Sequence, residues 1–76
     1  MKLKDVPVHP AYVVFHDHFD NGAMEIWPAT SFLSAQEIAT RKQDNCDAQG
    51  YDNADWRAYA KLPRRKVYKY HNDIAR

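Results

Sequence analysis

One cysteine, two glycines and no long apolar run are what this chain has in place of several common devices. A lone Cys46 excludes an internal disulfide and leaves no cysteine framework for zinc, and it suits a reducing cytoplasm. No stretch approaches the ~18 apolar residues that cross a bilayer. The opening MKLKDVPVHP carries two lysines, but Asp5, Pro7 and Pro10 break the apolar run that a secretory leader needs. With two glycines, neither in a phosphate-cradling pattern, nucleotide-loop chemistry has no sequence basis.

What is present points to one small domain. A chain of 76 residues buries only about 60% of its unfolded surface. Apolar residues are 45% of the chain and ten side chains are aromatic, which supplies enough buried area to fold without staples.

The formal net charge of +1 conceals a segregation. Residues 17 to 55 hold eight carboxylates (Asp17, Asp20, Glu25, Glu37, Asp44, Asp47, Asp52, Asp55) against Arg41 and Lys42. Residues 56 to 76 hold Arg57, Lys61, Arg64, Arg65, Lys66, Lys69 and Arg76 against Asp73. Such halves make either a charged binding face or an internal ion-pair network.

AYVVFHDHF at 11 to 19 is β-branched and aromatic, and the DNG at 20 to 22 is a strong hairpin signal. A two-residue Asn21-Gly22 turn sets His18 against Glu25, Asp17 against Ile26 and His16 against Trp27. Val13, Phe15, Phe19, Met24 and Ile26 then share a face, with Asp17 as the one inconsistency. Pro28 is expected to close the second strand. Ser34-Ala-Gln-Glu37 fits a capping box with Leu33 and Ile38 as its staple, so a helix is expected from Ser34, with Gly50 as its stop. Ala35, Ile38, Ala39, Lys42 and Cys46 form a narrow stripe of small residues toward a sheet. Residues 54 to 62 fit two periods, with alanines and an acidic start inclining them toward a second helix capped by Asp52 or Asn53. KVYKY at 66 to 70 reads as a last strand and the tail from His71 as frayed. The expected architecture is α+β: an antiparallel sheet of hairpin and last strand under one main helix, in the order ββα(α)β, with ββαββ as the alternative.

His16-Asp-His18 has the His-x-His spacing of some zinc sites, with His9, Glu25 or His71 as conceivable third ligands, but both histidines have cross-strand neighbours and a closed ligand cluster is missing. No metal or cofactor is expected. Ser34 is explained as a cap and Cys46 as a small helix-face residue, so no catalytic residue is assigned and the chain reads as a non-enzyme. The candidate contact residues are Arg57, Lys61, Arg64, Arg65, Lys66, Lys69, Tyr68 and Tyr70 in the basic, tyrosine-interleaved stretch, and Asp44, Asp47, Asp52 and Asp55 in the acidic one. Arginine and aromatic side chains dominate protein interfaces, and Trp27, Trp56 and Tyr59 add to that stock. The first expectation is therefore a binder of a larger protein. The alternative is a small DNA- or RNA-binding protein that uses residues 57 to 71. Strand-edge pairing between two copies is also open.

The order of strand, DNG turn, strand and a helix opened by SFLSAQEIATRK, over residues 11 to 45, resembles the layout of small phage-encoded inhibitors, including some anti-CRISPR proteins and transcription inhibitors. The resemblance implies a stoichiometric binder that occludes a host machine without cofactor or turnover. It carries no functional residue across, because hairpins and capping boxes are common.

Overall fold

The computed structural model describes residues 7–17, 23–51, 54–62 and 69–76. Its elements are β1 (Ala11–Asp17), β2 (Ala23–Ala29), α1 (Phe32–Ala48), β3 (Ala54–Tyr59) and β4 (Lys69–Tyr70). They form one four-stranded sheet, in the order β3-β1-β2-β4, with α1 on one face. This is the α+β class expected, in the ββαββ order.

Five expectations are corrected. The hairpin register is the first. His16 meets Met24, Phe15 meets Glu25, Val14 meets Ile26 and Val13 meets Trp27, so residues 18 to 22 connect the strands where a two-residue turn was expected. The odd shift exchanges faces. Val13 and Phe15 lie toward α1, whereas Met24 and Ile26 point the other way, and Asp17 sits opposite Ala23 and Ala54 at the strand end instead of against Ile26. The expected Phe19 and His18 contacts fall outside the described residues.

Second, residues 54 to 59 are a strand, antiparallel to β1, with Trp56 opposite Phe15 and Ala58 opposite Val13. Alanine's helix preference is worth less than a paired edge that buries Trp56 and Ala58 under α1. Third, β4 joins β2 in parallel, so the sheet is mixed. β3 and β4 run in the same direction on opposite edges of the sheet, so the chain crosses over between them. Fourth, the tail is docked: the His71 N–H donates to the Ile26 carbonyl and the Ala75 N–H to that of Pro28, both at 2.8 Å. Ala75 is buried with Ala35, Ile38 and Ala39.

Fifth, the helix begins at Phe32, two residues before Ser34, and its cap lies three residues before the expected one. Ser31, in extended conformation, accepts from the Ser34 N–H at 3.0 Å, so Ser31 is the cap and the expected box and staple at Ser34 do not form. Leu33 is accordingly 66% exposed. The C-terminus is as expected: Gly50 adopts φ +77, its N–H donates to the Asp47 carbonyl, and the Tyr51 N–H donates to that of Cys46. That six-to-one pattern closes a helix with a left-handed residue that glycine takes without a Cβ penalty.

The sheet is buried on both sides. Toward α1, Ala11, Val13, Ala29, Ala35, Ile38, Ala39 and Ala75 form a core flanked by Trp27, Trp56 and Ala58. Alanines on both layers let the helix lie close. The far face gathers Tyr12, Val14, Met24 and Ile26, packed by Tyr59, Leu62 and Tyr70.

Candidate functional site

On the helix side an aromatic row crosses the sheet. Phe15 and Trp56 have ring centroids 4.8 Å apart, Trp56 and Trp27 5.3 Å, and Trp27 stacks on His71 at 4.1 Å with 2° between planes. Strand pairing places three of these side chains and the docked tail supplies the fourth. Lys42 on α1 holds its ammonium 4.9 Å above the Trp56 ring. Glu25, beside the row, contacts His71 Nε2 at 2.8 Å and Lys69 Nζ at 4.0 Å. Trp56 Nε1 is buried with no acceptor among the described residues, a position that costs about 1–3 kcal/mol.

This cluster ties the elements together. His71 and Glu25 tie the tail and β4 to β2, while Ser31, Ser34 and Cys46 belong to α1 and its cap. His16 lies on the opposite face of the sheet from Glu25 and His71, so neither of these conceivable third zinc ligands converges on it. Among the described residues no group of three or more His, Cys, Asp or Glu side chains is arranged to hold a metal; His18 lies outside them. His9 serves the far face: its backbone N–H donates to the Tyr12 hydroxyl at 2.8 Å, Tyr12 donates to the Pro7 carbonyl, and its ring meets the Tyr70 hydroxyl at 3.1 Å. Burial, with Tyr12 adding a smaller effect, pushes the Tyr70 phenol above its usual value, so it remains a neutral hydrogen-bonding group.

The candidate contact residues divide. Arg64, Arg65, Lys66, Tyr68 and Asp52 lie outside the described residues. Arg57 and Lys61 are exposed on and just after β3, at one sheet edge, whereas Lys69 and Tyr70 belong to β4 at the other. Three strand spacings, about 14 Å, separate those edges. Tyr70 is also engaged with His9 and half-buried. The described basic residues therefore do not form one continuous strip.

Three acidic residues share one side of the helix. Asp44 and Asp47 project from the exposed side of α1 with Glu37, whereas Asp55, opposite His16, lies on the face of β3 away from α1, 3.8 Å from Arg57. Two grooves border this side. One, of about 460 Å³, runs between α1 and β3 past Gln36, Thr40, Gln43, Asp44, Arg57 and Ala58. The other, of about 490 Å³, is shallow and runs along α1 past Glu37, Arg41 and Asn45, sharing Gln36, Thr40 and Asp44 with the first.

Gln43 carries no motif and was missed by sequence reasoning. Its Oε1 accepts from the Trp56 N–H at 2.8 Å and its Nε2 donates to Asp47 Oδ1 at 3.1 Å. A glutamine on the polar side of a helix gives no sign that it will cap a strand thirteen residues away.

Comparison with protein families, curated proteins and solved structures finds no match.

Proposed function

We propose that this chain is a non-catalytic binding protein that docks the outer, acidic side of α1 on a larger protein with a basic surface. One observation carries the reading. Asp47 stands in the last turn of α1 and Asp44 just before it, while the first turn has no acidic residue and the last no basic one. That layout is opposite to what the helix dipole favours, since carboxylates stabilise an N-terminus and cations a C-terminus. Charges placed against local stability mark a surface kept for another purpose. Leu33 and Phe32, 66% and 42% exposed, put apolar area at the other end of the same helix. Apolar area at one end of a helix and charge at the other supply the two elements of a docking face.

The setting that suits Cys46 is the reducing cytoplasm, and no described helix is long and apolar enough to cross a membrane. A host machine that handles nucleic acid is a fitting partner class, because its phosphate-binding grooves are basic. The chain itself has no cofactor in this reading.

Asp44→Lys separates function from stability. It should raise stability by a few tenths of a kcal/mol in urea titration, by relieving the C-terminal end of the helix dipole. The same change should weaken partner capture. The fuller test immobilises the wild type and two triple variants, Glu37/Asp44/Asp47→Lys and Arg57/Lys61/Lys69→Glu, and weighs what each retains. A stoichiometric protein partner held by the wild type and the basic-residue variant, and lost from the acidic-residue variant, is the expected result. Retention by the acidic-residue variant would refute the surface.

A further inference from the structure

β3 is an edge strand among the described residues, and the direction of its free edge can be read from one hydrogen bond. The Trp56 N–H goes to Gln43 of α1, so it points away from β1. Backbone groups alternate sides along a strand, so those of Ala54 and Ala58 point outward with it. The stretch Ala54-Asp55-Trp56-Arg57-Ala58 is self-complementary about its centre. Placed antiparallel to a second copy, with Trp56 on the two-fold axis, Ala54 meets Ala58 and Asp55 meets Arg57 on the face away from α1. Outward residues then pair with outward residues, as a ladder requires, and an isologous contact closes after two copies.

We propose that the β3 edge is a self-pairing surface, through which two copies join antiparallel into one eight-stranded sheet, and that Gln43 is the intramolecular competitor that keeps the pairing weak. Each Asp55, now 3.8 Å from Arg57 of its own strand, gains the Arg57 of the second copy directly opposite. The outward-facing edge supplies up to about six new backbone hydrogen bonds. Opposing this, Gln43 Oε1 already occupies the central N–H, held there by Asp47. A specific interface generally exceeds about 1,000 Å², and five residues of strand fall short of that, so a reversible dimer at high concentration is the expected form. Among the described residues no strand lies beyond this edge, and the side chains at Ala54 and Ala58 are small.

Sedimentation velocity from micromolar to millimolar protein, at ~50 mM salt so that charges are weakly screened, tests this. Asp55→Arg and Arg57→Asp each place like charges opposite one another twice per dimer and should weaken association about tenfold or more. The double swap Asp55→Arg/Arg57→Asp should restore it. Gln43→Ala frees the central N–H in both copies and should strengthen association about tenfold. Circular dichroism of every variant confirms the fold. A chain that stays monomeric to ~1 mM, both as wild type and as Gln43→Ala, overturns the proposal. So does a dimer indifferent to the charge reversals or not rescued by the swap.

Discussion

Trp27→Ala should remove about 3 kcal/mol of stability, a large share of what a domain of this size has. Three long-range connections meet at Trp27. It pairs with Val13 across the hairpin, lies against Trp56 of β3 and stacks on His71 of the tail. Truncation opens a void between sheet and tail that alanines on the neighbouring elements are too small to fill. Thermal unfolding should fall by roughly 15 °C, on the scale of 4–8 °C per kcal/mol for short domains. His71→Ala should cost less alone, and the pair should couple by about 0.5–1.5 kcal/mol, as stacked rings do. A loss for Trp27→Ala below about 1 kcal/mol in urea denaturation would show that the tail and β3 are held by something else.

The second large effect comes from adding atoms. Ala35 is fully buried, and the layer it faces is built from Ala11, Ala29, Val13 and Ala75. A stripe of alanines sets the helix-to-sheet distance, so Ala35→Leu forces the helix outward or its own side chain off rotamer, at about 2–3 kcal/mol. Lifting α1 also draws Gln43 from the Trp56 N–H and Lys42 from the Trp56 ring. Hydrogen exchange should therefore show faster opening of β3 than of β1 in this variant, with the wild type as reference. Equal protection of the two strands, or a loss under about 1 kcal/mol, would contradict the close alanine contact.

These two residues also show what could be read in advance. The Ala35-Ile38-Ala39 stripe was legible because a helix against a sheet leaves a 3.6-residue period, and Gly50 because a left-handed stop needs glycine. The strands of the hairpin were legible from their β-branched and aromatic content, but their register was not. Ala11, Tyr12, Val13 and Val14 are all buried in succession, because both faces of the sheet are covered. A strand buried on both sides has no alternation to fix which residues face the helix, and the DNG signal then decided a pairing that packing reverses. Residues 54 to 59 were misread for a related reason. Asp55 and Arg57 alternate with Trp56 and Ala58 as in a strand, yet the alanines favour helix, and only the partner β1 resolves the conflict. The docked tail rests on His71 meeting Trp27 and Glu25, contacts far apart in sequence that no local pattern announces.

Of the site, the acidic side of α1 was visible as a charge run. Its relation to β3 was not, because Gln43 and the edge N–H it caps become neighbours only in the fold. Of the expected basic stretch, the described members lie apart, Arg57 and Lys61 at one sheet edge and Lys69 at the other, while Arg64, Arg65, Lys66 and Tyr68 lie outside the described residues.

The central claim is that a protein, and not bare nucleic acid, is the ligand. Fluorescence anisotropy of labelled single- and double-stranded DNA and RNA, titrated with the wild type and with Arg57/Lys61/Lys69→Glu over a salt series, addresses it most directly. No binding at ~50 mM salt is the result this account predicts, since the described cations of the basic stretch, divided between two sheet edges, neutralise few phosphates together. Micromolar binding that steepens as salt falls and disappears in the triple variant would contradict it and make the basic residues a phosphate-contacting surface.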